Sequence, residues 1–162
     1  MAKLESLLAQ GLLRGFARET TFKPVKRGRF VGEQSSFTAS NGDVYVDQWF
    51  AHQRGGGQEL VRLTSGEMMT RLYAGGTIDD EELEKLGISG DQVSAKLTES
   101  IREAGEKTRL HEDYFPEPDG DWRYQYRVLA RIAELKLTLG LEELIYQNNL
   151  TFAHYFLISP VR

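Results

Sequence analysis

An Asn-Gly pair at positions 41 and 42 stands between two runs of alternating residues, and this juncture constrains the chain more than any other feature. Asn and Gly tolerate the positive φ of a tight hairpin, so the flanking runs are expected to fold back on each other as antiparallel strands. Past the turn, VYVDQWFA puts Val44, Val46 and Phe50 on one face and Tyr45, Asp47 and Trp49 on the other, because successive strand side chains point to opposite sides. By default the aliphatic positions of such strands are core. Gly55-Gly56-Gly57 reads as a turn, QELVRL as the next strand, Thr64-Ser65-Gly66 as another turn, and MMTRLYA as a strand ended by Gly75-Gly76.

Helical patterning frames this meander. Leu4, Leu7, Leu8, Leu12 and Phe16 recur at three- and four-residue spacing, and Gly11 and Gly15 weaken the later half of that N-terminal helix. TTFKPVKRGRFVGEQSSFTAS reads as irregular strand and loop. Thr77 is placed to cap DDEELEKL, whose acidic first turn suits the helix dipole and which Gly87 stops. Ser89 followed by Gln92 has the form of a capping box, ahead of a stripe of Val93, Leu97, Ile101 and Ala104. A polar EDYFPEPDGD loop leads to Trp122, Tyr124, Tyr126 and Val128 alternating with Arg123, Gln125 and Arg127. Residues 127–137 read as extended structure, although good helix formers and the lack of a turn residue leave a helix over part of them as the alternative. EELIYQ, an Asn148-Asn149 turn and LTFAHYFLIS complete the chain.

The two extended stretches look like versions of one unit. Gly42-Asp43, an aromatic strand and Gly56-x-x-Glu59-Leu-Val61 in the first match Gly120-Asp121, an aromatic strand and Gly140-x-x-Glu143-Leu-Ile145 in the second. The expected fold is α+β: one domain over 1–162, a mostly antiparallel sheet in two helix-plus-meander halves (about 1–76 and 77–162), with an N-terminal helix. A pocket is then expected at the seam between the halves.

These motifs (Tyr45-x-Asp47, Gly-Gly-Gln-Glu59-Leu-Val61, Leu72-Tyr73-Ala-Gly-Gly76 and Gly-x-x-Glu143-Leu-Ile145-Tyr146-x-Asn148) resemble an uncharacterised bacterial domain family. That family occurs alone or behind helix-turn-helix regulatory segments. The resemblance spans roughly residues 40 to 158 and implies a lineage without a settled activity. A looser architectural analogy is to tandem-repeat domains that hold drug-like cations on a buried glutamate among aromatics.

Composition narrows the function classes. Twenty Lys plus Arg against 24 Asp plus Glu leave a net charge of −4, which argues against phosphate neutralisation as the main task and hence against a nucleic-acid partner. The basic run Lys23, Lys26, Arg27 and Arg29 between Phe22 and Phe30 reads as a solvated ribbon, balanced by Glu19 and Glu33. With no cysteine, disulfides, thiolate nucleophiles and zinc-thiolate sites are excluded together. No apolar run approaches the roughly 18–20 residues of a membrane span, and the N-terminus lacks a leader pattern, so a cytoplasmic protein without a membrane partner is expected. His52, His111 and His154 are scattered without metal-ligand spacing, no cofactor motif occurs, and no nucleophile elbow is present.

Two constellations remain. Tyr45, Asp47 and Trp49 on one strand face, with Arg71 and Tyr73 nearby, place an acid between aromatics, which suits a small cationic or aromatic ligand. Arg71 is equally suited to pairing with Asp47 across strands. Glu59 and Glu143, at matching places in the two halves, suit either a ligand cation or paired acid–base work in a small hydrolase or isomerase. A binding module is the leading expectation. The alternatives are that enzyme, or a homodimeric accessory domain joined through an exposed strand edge such as LTFAHYFLIS.

Overall fold

The structure, a computed structural model, describes residues 2–15, 22–50, 53–107 and 109–161. Phe16, Glu19 and His52 lie outside the described residues. In chain order the elements are α1 (Ala2–Arg14), β1 (Lys23–Arg27), β2 (Phe30–Thr38), β3 (Val44–Phe50), β4 (Arg54–Arg62), β5 (Met68–Thr77), α2 (Asp80–Lys85), α3 (Gly90–Ala104), β6 (Trp122–Ile132), β7 (Leu137–Tyr146) and β8 (Asn149–Val161). The strands form one eight-stranded sheet in the order β1-β2-β3-β4-β5-β8-β7-β6, antiparallel at every step. The fold is thus α+β with an N-terminal helix. A five-stranded meander and a three-stranded one are joined along the β5–β8 ladder.

Both long helices lie on one face of this sheet. Leu4, Leu7 and Leu8 of α1 pack with Tyr45, Val61, Met69 and Ile158, while Val93, Leu97 and Ile101 of α3 pack with Tyr124, Leu144 and Phe152. Leu12, buried in the second cluster, ties α1 to α3. Each such side chain removed from water contributes about 1.5–3 kcal/mol, so these two stripes are the main adhesive of the fold. Gly11 allows the closest approach: a Cβ there would stand 2.1 Å from Cγ of the Tyr45 ring. The glycine that weakens α1 locally is what lets the helix lie flat on β3.

Local signals hold in several places. Ser89 Oγ accepts from the Gln92 amide at 3.3 Å, and Gln92 Oε1 accepts from the Ser89 amide at 2.8 Å, completing the capping box of α3. Residues 127–137 resolve as strand to Ile132, a 3₁₀ turn at Ala133–Leu135, and strand again from Leu137, with Lys136 left-handed at φ 53° between them. The last hairpin turns on Gln147 and Asn148 (φ 46° and 65°), one residue earlier than Asn148-Asn149.

Other expectations are corrected. Gly55-Gly56-Gly57 is strand and not turn, since Gly55 pairs with Gly75 and Gly57 with Tyr73, and β5 runs through Gly75 and Gly76 to Thr77. Thr77 therefore ends a strand, and Asp79 stands at the N-terminus of α2. Val44 and Val46 take the outer face of β3 and are half-buried, whereas Tyr45 and Asp47 face the helices. The segment LTFAHYFLIS is no edge, because β8 is hydrogen-bonded on both sides, to β5 and β7.

Candidate functional site

The register of the sheet aligns the inner face. Asp47 on β3 stands opposite Glu59 on β4, which stands opposite Arg71 on β5. One step along, Trp49, Gly57, Tyr73 and Phe156 form the next row across β3, β4, β5 and β8. Period-2 alternation thus carries a polar row and an aromatic row into the space beneath the helices.

Two ionic clusters lie on the inner face, one in the polar row and one beyond the aromatic row. Glu59 and Arg71 are fully buried, and Arg71 Nη2 donates to Glu59 Oε1 at 2.7 Å while Arg71 Nε donates to Oε2. Tyr45 Oη also donates to Glu59 Oε1, at 2.8 Å. In the second cluster Arg109 Nε donates to Glu142 Oε1 at 2.7 Å, its Nη2 lies 2.7 Å from Oε2, and Tyr124 Oη donates to Oε1 at 2.6 Å. The bidentate pair at Glu59, the ion pair with one hydrogen bond at Glu142, and a phenol donor on each carboxylate offset the desolvation of these buried groups. Burial, with the adjoining glutamate next, raises both Tyr45 and Tyr124, so each stays a protonated donor.

The clusters are coupled. Arg71 Nη1 donates to the Arg109 carbonyl at 2.7 Å, and Phe156 lies under both guanidinium groups, 5.6 Å from Arg71 and 5.0 Å from Arg109. Arg109 holds φ 56°, a left-handed conformation uncommon for a residue with a long side chain. Its place is fixed by the pairings at both ends and not by local preference.

Asp47 differs from its neighbours. It is 3% exposed, and its side chain accepts one hydrogen bond, from Tyr73 Oη at 3.0 Å. Among the described residues it is the buried carboxylate without an arginine: Asp47, Glu59 and Glu142 face two guanidinium groups, those of Arg71 and Arg109, and both are taken. Burial, then the charge of Glu59, pushes the Asp47 carboxyl up to about 8.

Asp47 opens onto a cavity of about 520 Å³ beside α3, lined also by Trp49, Tyr73, Arg109, Phe152 and His154. Its size falls within the range of sites for small organic molecules. Phe22 meets Trp49 edge-on with ring centroids 4.9 Å apart, and His154 lies 4.4 Å from Phe152 and 5.3 Å from Tyr73. Among the described residues the buried Nδ1 of His154 has no hydrogen-bond partner, and burial followed by the charge of Arg109 lowers its imidazole to about 3. The cavity wall thus sets aromatic rings and the Asp47 carboxyl beside further charged side chains, those of Glu33, Arg54, Asp80, Asp91 and Arg109.

Six of the seven residues read from the sequence gather here. Tyr45, Asp47, Trp49, Glu59, Arg71 and Tyr73 share the inner face, with Asp47, Trp49 and Tyr73 on the cavity wall. Arg71 pairs with Glu59 and not with Asp47, because β4 lies between their strands. Glu143 stands apart. It belongs to the outer set of β7, where Gln125 Nε2 and Arg127 Nη2 donate to its Oε2 at 2.6 and 2.7 Å. Glu142, one residue earlier, is the inward carboxylate, so Glu59 and Glu143 share no cleft.

Glu142, Arg109, His154, Phe152 and Phe22 carry no motif that singled them out. Phe22 had only its place beside the basic run, which forms the exposed edge strand β1 and the turn after it. Among the described residues no group of three or more His, Asp or Glu is arranged to hold a metal ion, and no helix is long and apolar enough to cross a membrane.

Comparison with known protein families, curated proteins and solved structures finds no match to this chain.

Proposed function

We propose that this protein is a binding module for a small organic cation, with Asp47 as the counter-charge. The observation that carries this reading is the charge balance of the inner face among the described residues, where two buried arginines serve two glutamates and Asp47 is left over. A buried carboxylate without a cation either holds a proton or waits for a positive partner. The rings of Trp49, Tyr73 and Phe152 around it supply the electron-rich faces that attract a cation once water is excluded. Against acid–base catalysis by paired glutamates stands the engagement of Glu59 by Arg71 and Tyr45 and the outward position of Glu143. The recurrence of Tyr, Glu and Arg in two inner-face clusters favours the duplication read in the sequence, with Glu142 in place of Glu143 as the counterpart of Glu59.

Native mass spectrometry of the freshly purified protein, set against its denatured mass, tests the reading. A non-covalent adduct is expected on the wild type and is lost in Asp47→Asn. An adduct retained in equal amount by Asp47→Asn overturns Asp47 as counter-charge.

A further inference from the structure

The basic run between Phe22 and Phe30 folds into a hairpin whose tip is both cationic and apolar. Lys23, Lys26, Arg27 and Arg29 are all exposed, and no acidic residue occurs between Glu19 and Glu33. In a chain of net charge −4, these four cations set one positive patch against an acidic remainder. Gly28, at φ 62°, and Arg29 form the turn. Immediately behind it Arg27 pairs with Phe30 and Lys26 with Val31. Phe30 and Val31 are 73% and 65% exposed, the highest values of any large apolar side chain among the described residues. As successive strand residues they point to opposite faces, so each face of the tip carries one apolar side chain beside one cation. The tip also projects. The β2–β3 ladder reaches Glu33 and Trp49, Phe30 and Val31 lie beyond it, and among the described residues a Cβ on Gly28 would meet nothing within 4 Å.

We propose that this hairpin docks the protein on an anionic membrane surface, with Phe30 and Val31 entering the headgroup region and the four cations on the lipid charges. The surface is separate from the cavity, and nothing in it rests on the cation-binding reading. Apolar side chains on both faces at one level, each beside a long cationic one, match a lipid interface that is apolar below and anionic above. Lys and Arg stems reach back from that depth to the headgroups. A single nucleic-acid strand would instead use rings on which its bases stack, and Val31 offers none. Each Lys or Arg near an anionic leaflet is worth about fivefold in affinity, so the cations supply most of the binding and make it sensitive to salt.

Co-sedimentation of the full chain with vesicles tests this, using phosphatidylcholine alone and with about 30% phosphatidylserine, each at about 0.1 M and about 0.5 M salt. Binding is expected on the anionic vesicles at low salt, at least about tenfold weaker on the neutral ones, and lost at high salt. Phe30→Ser is expected to weaken it about tenfold, and Lys26→Gln combined with Arg29→Gln about 25-fold. These positions are exposed, so the thermal unfolding midpoint should stay that of the wild type. Phe30→Trp should gain a blue-shifted emission component on anionic vesicles that the wild type lacks. Equal binding to neutral vesicles, or no binding up to about 2 mM anionic lipid, overturns the proposal. Charge-dependent binding with no loss in Phe30→Ser and no emission shift in Phe30→Trp also overturns it, because the tip then does not enter the lipid. Oligothymidylate bound more tightly than the anionic vesicles, and lost in the Lys26→Gln, Arg29→Gln variant, overturns it in favour of nucleic acid.

Discussion

Asp47 and Glu59 stand directly opposite each other on adjacent strands, yet of the two only Glu59 is held by an arginine. The pair divides its labour accordingly. Glu59 is spent on structure, while Asp47 keeps an uncompensated carboxyl at the floor of the cavity.

That carboxyl gives stability a definite pH dependence. Asp47 holds its proton up to about 8 in the fold against 3.8 for an ordinary aspartate, so its contribution is complete below the lower value and is lost as pH rises through the higher one. His154 runs the other way. Lowered to about 3 from 6.5, it contributes above 6.5 and loses that contribution as pH falls toward 3. The two effects oppose each other at mildly acidic pH, and Asp47 acts alone from 6.5 to about 8. Urea denaturation at about pH 6.5 and 8.5 is expected to find the wild type weaker at the higher pH and Asp47→Asn insensitive to the change.

Cation binding is expected to follow the opposite trend. Ionised Asp47 is the form that pairs with a cation, so a bound cation displaces the proton. Affinity for an organic cation should rise by up to about tenfold per pH unit below about 8 and level off above it. Calorimetry in buffers of different ionisation enthalpy near pH 7 should detect a proton released on binding.

Breaking the first ionic cluster should be costly. Arg71→Ala leaves Glu59 buried without its partner, with an expected loss of about 3–5 kcal/mol in urea denaturation. Glu59→Leu combined with Arg71→Met removes both charges and fills the space, so it should cost less than Arg71→Ala alone. Equal or greater loss in the double variant would show that the pair does more than neutralise itself.

The seat of α1 on β3 can be probed by size. Gly11→Leu drives a side chain into the Tyr45 ring and should destabilise by about 1–3 kcal/mol through overpacking. Tyr45→Ala should recover part of that loss when combined with Gly11→Leu, as thermal unfolding of the single and double variants would show. Additive losses would place the helix elsewhere.

Much of this architecture was legible in the chain. Periodicity identified α1, α3 and most of the strands, because period 2 and period 3.6 are properties of the backbone itself. The Ser89–Gln92 capping box was legible because both partners lie within one turn. The Tyr45-Asp47-Trp49 face was visible as a face, though alternation does not say which face turns inward, and aliphatic Val44 and Val46 pointed to the wrong one. The glycine runs misled for a related reason. Glycine marks turns by its φ freedom and strands by its lack of bulk, and the second use depends on neighbours that the local sequence does not reveal.

By itself, then, the sequence determined what each segment could become: an amphipathic helix, an alternating strand, a capped terminus, and an aspartate set between aromatic rings. Tertiary structure alone decided which segments meet. It placed β8 between β5 and β7, turned Glu142 inward in place of Glu143, and brought Arg109 from a loop to the second carboxylate. The physical reason is that pairing buried charges depends on strand order and register over separations of 12 and 33 residues, whereas periodicity and capping act within a few. That arithmetic of partners, two buried arginines for three buried carboxylates among the described residues, is what leaves Asp47 open to the cavity.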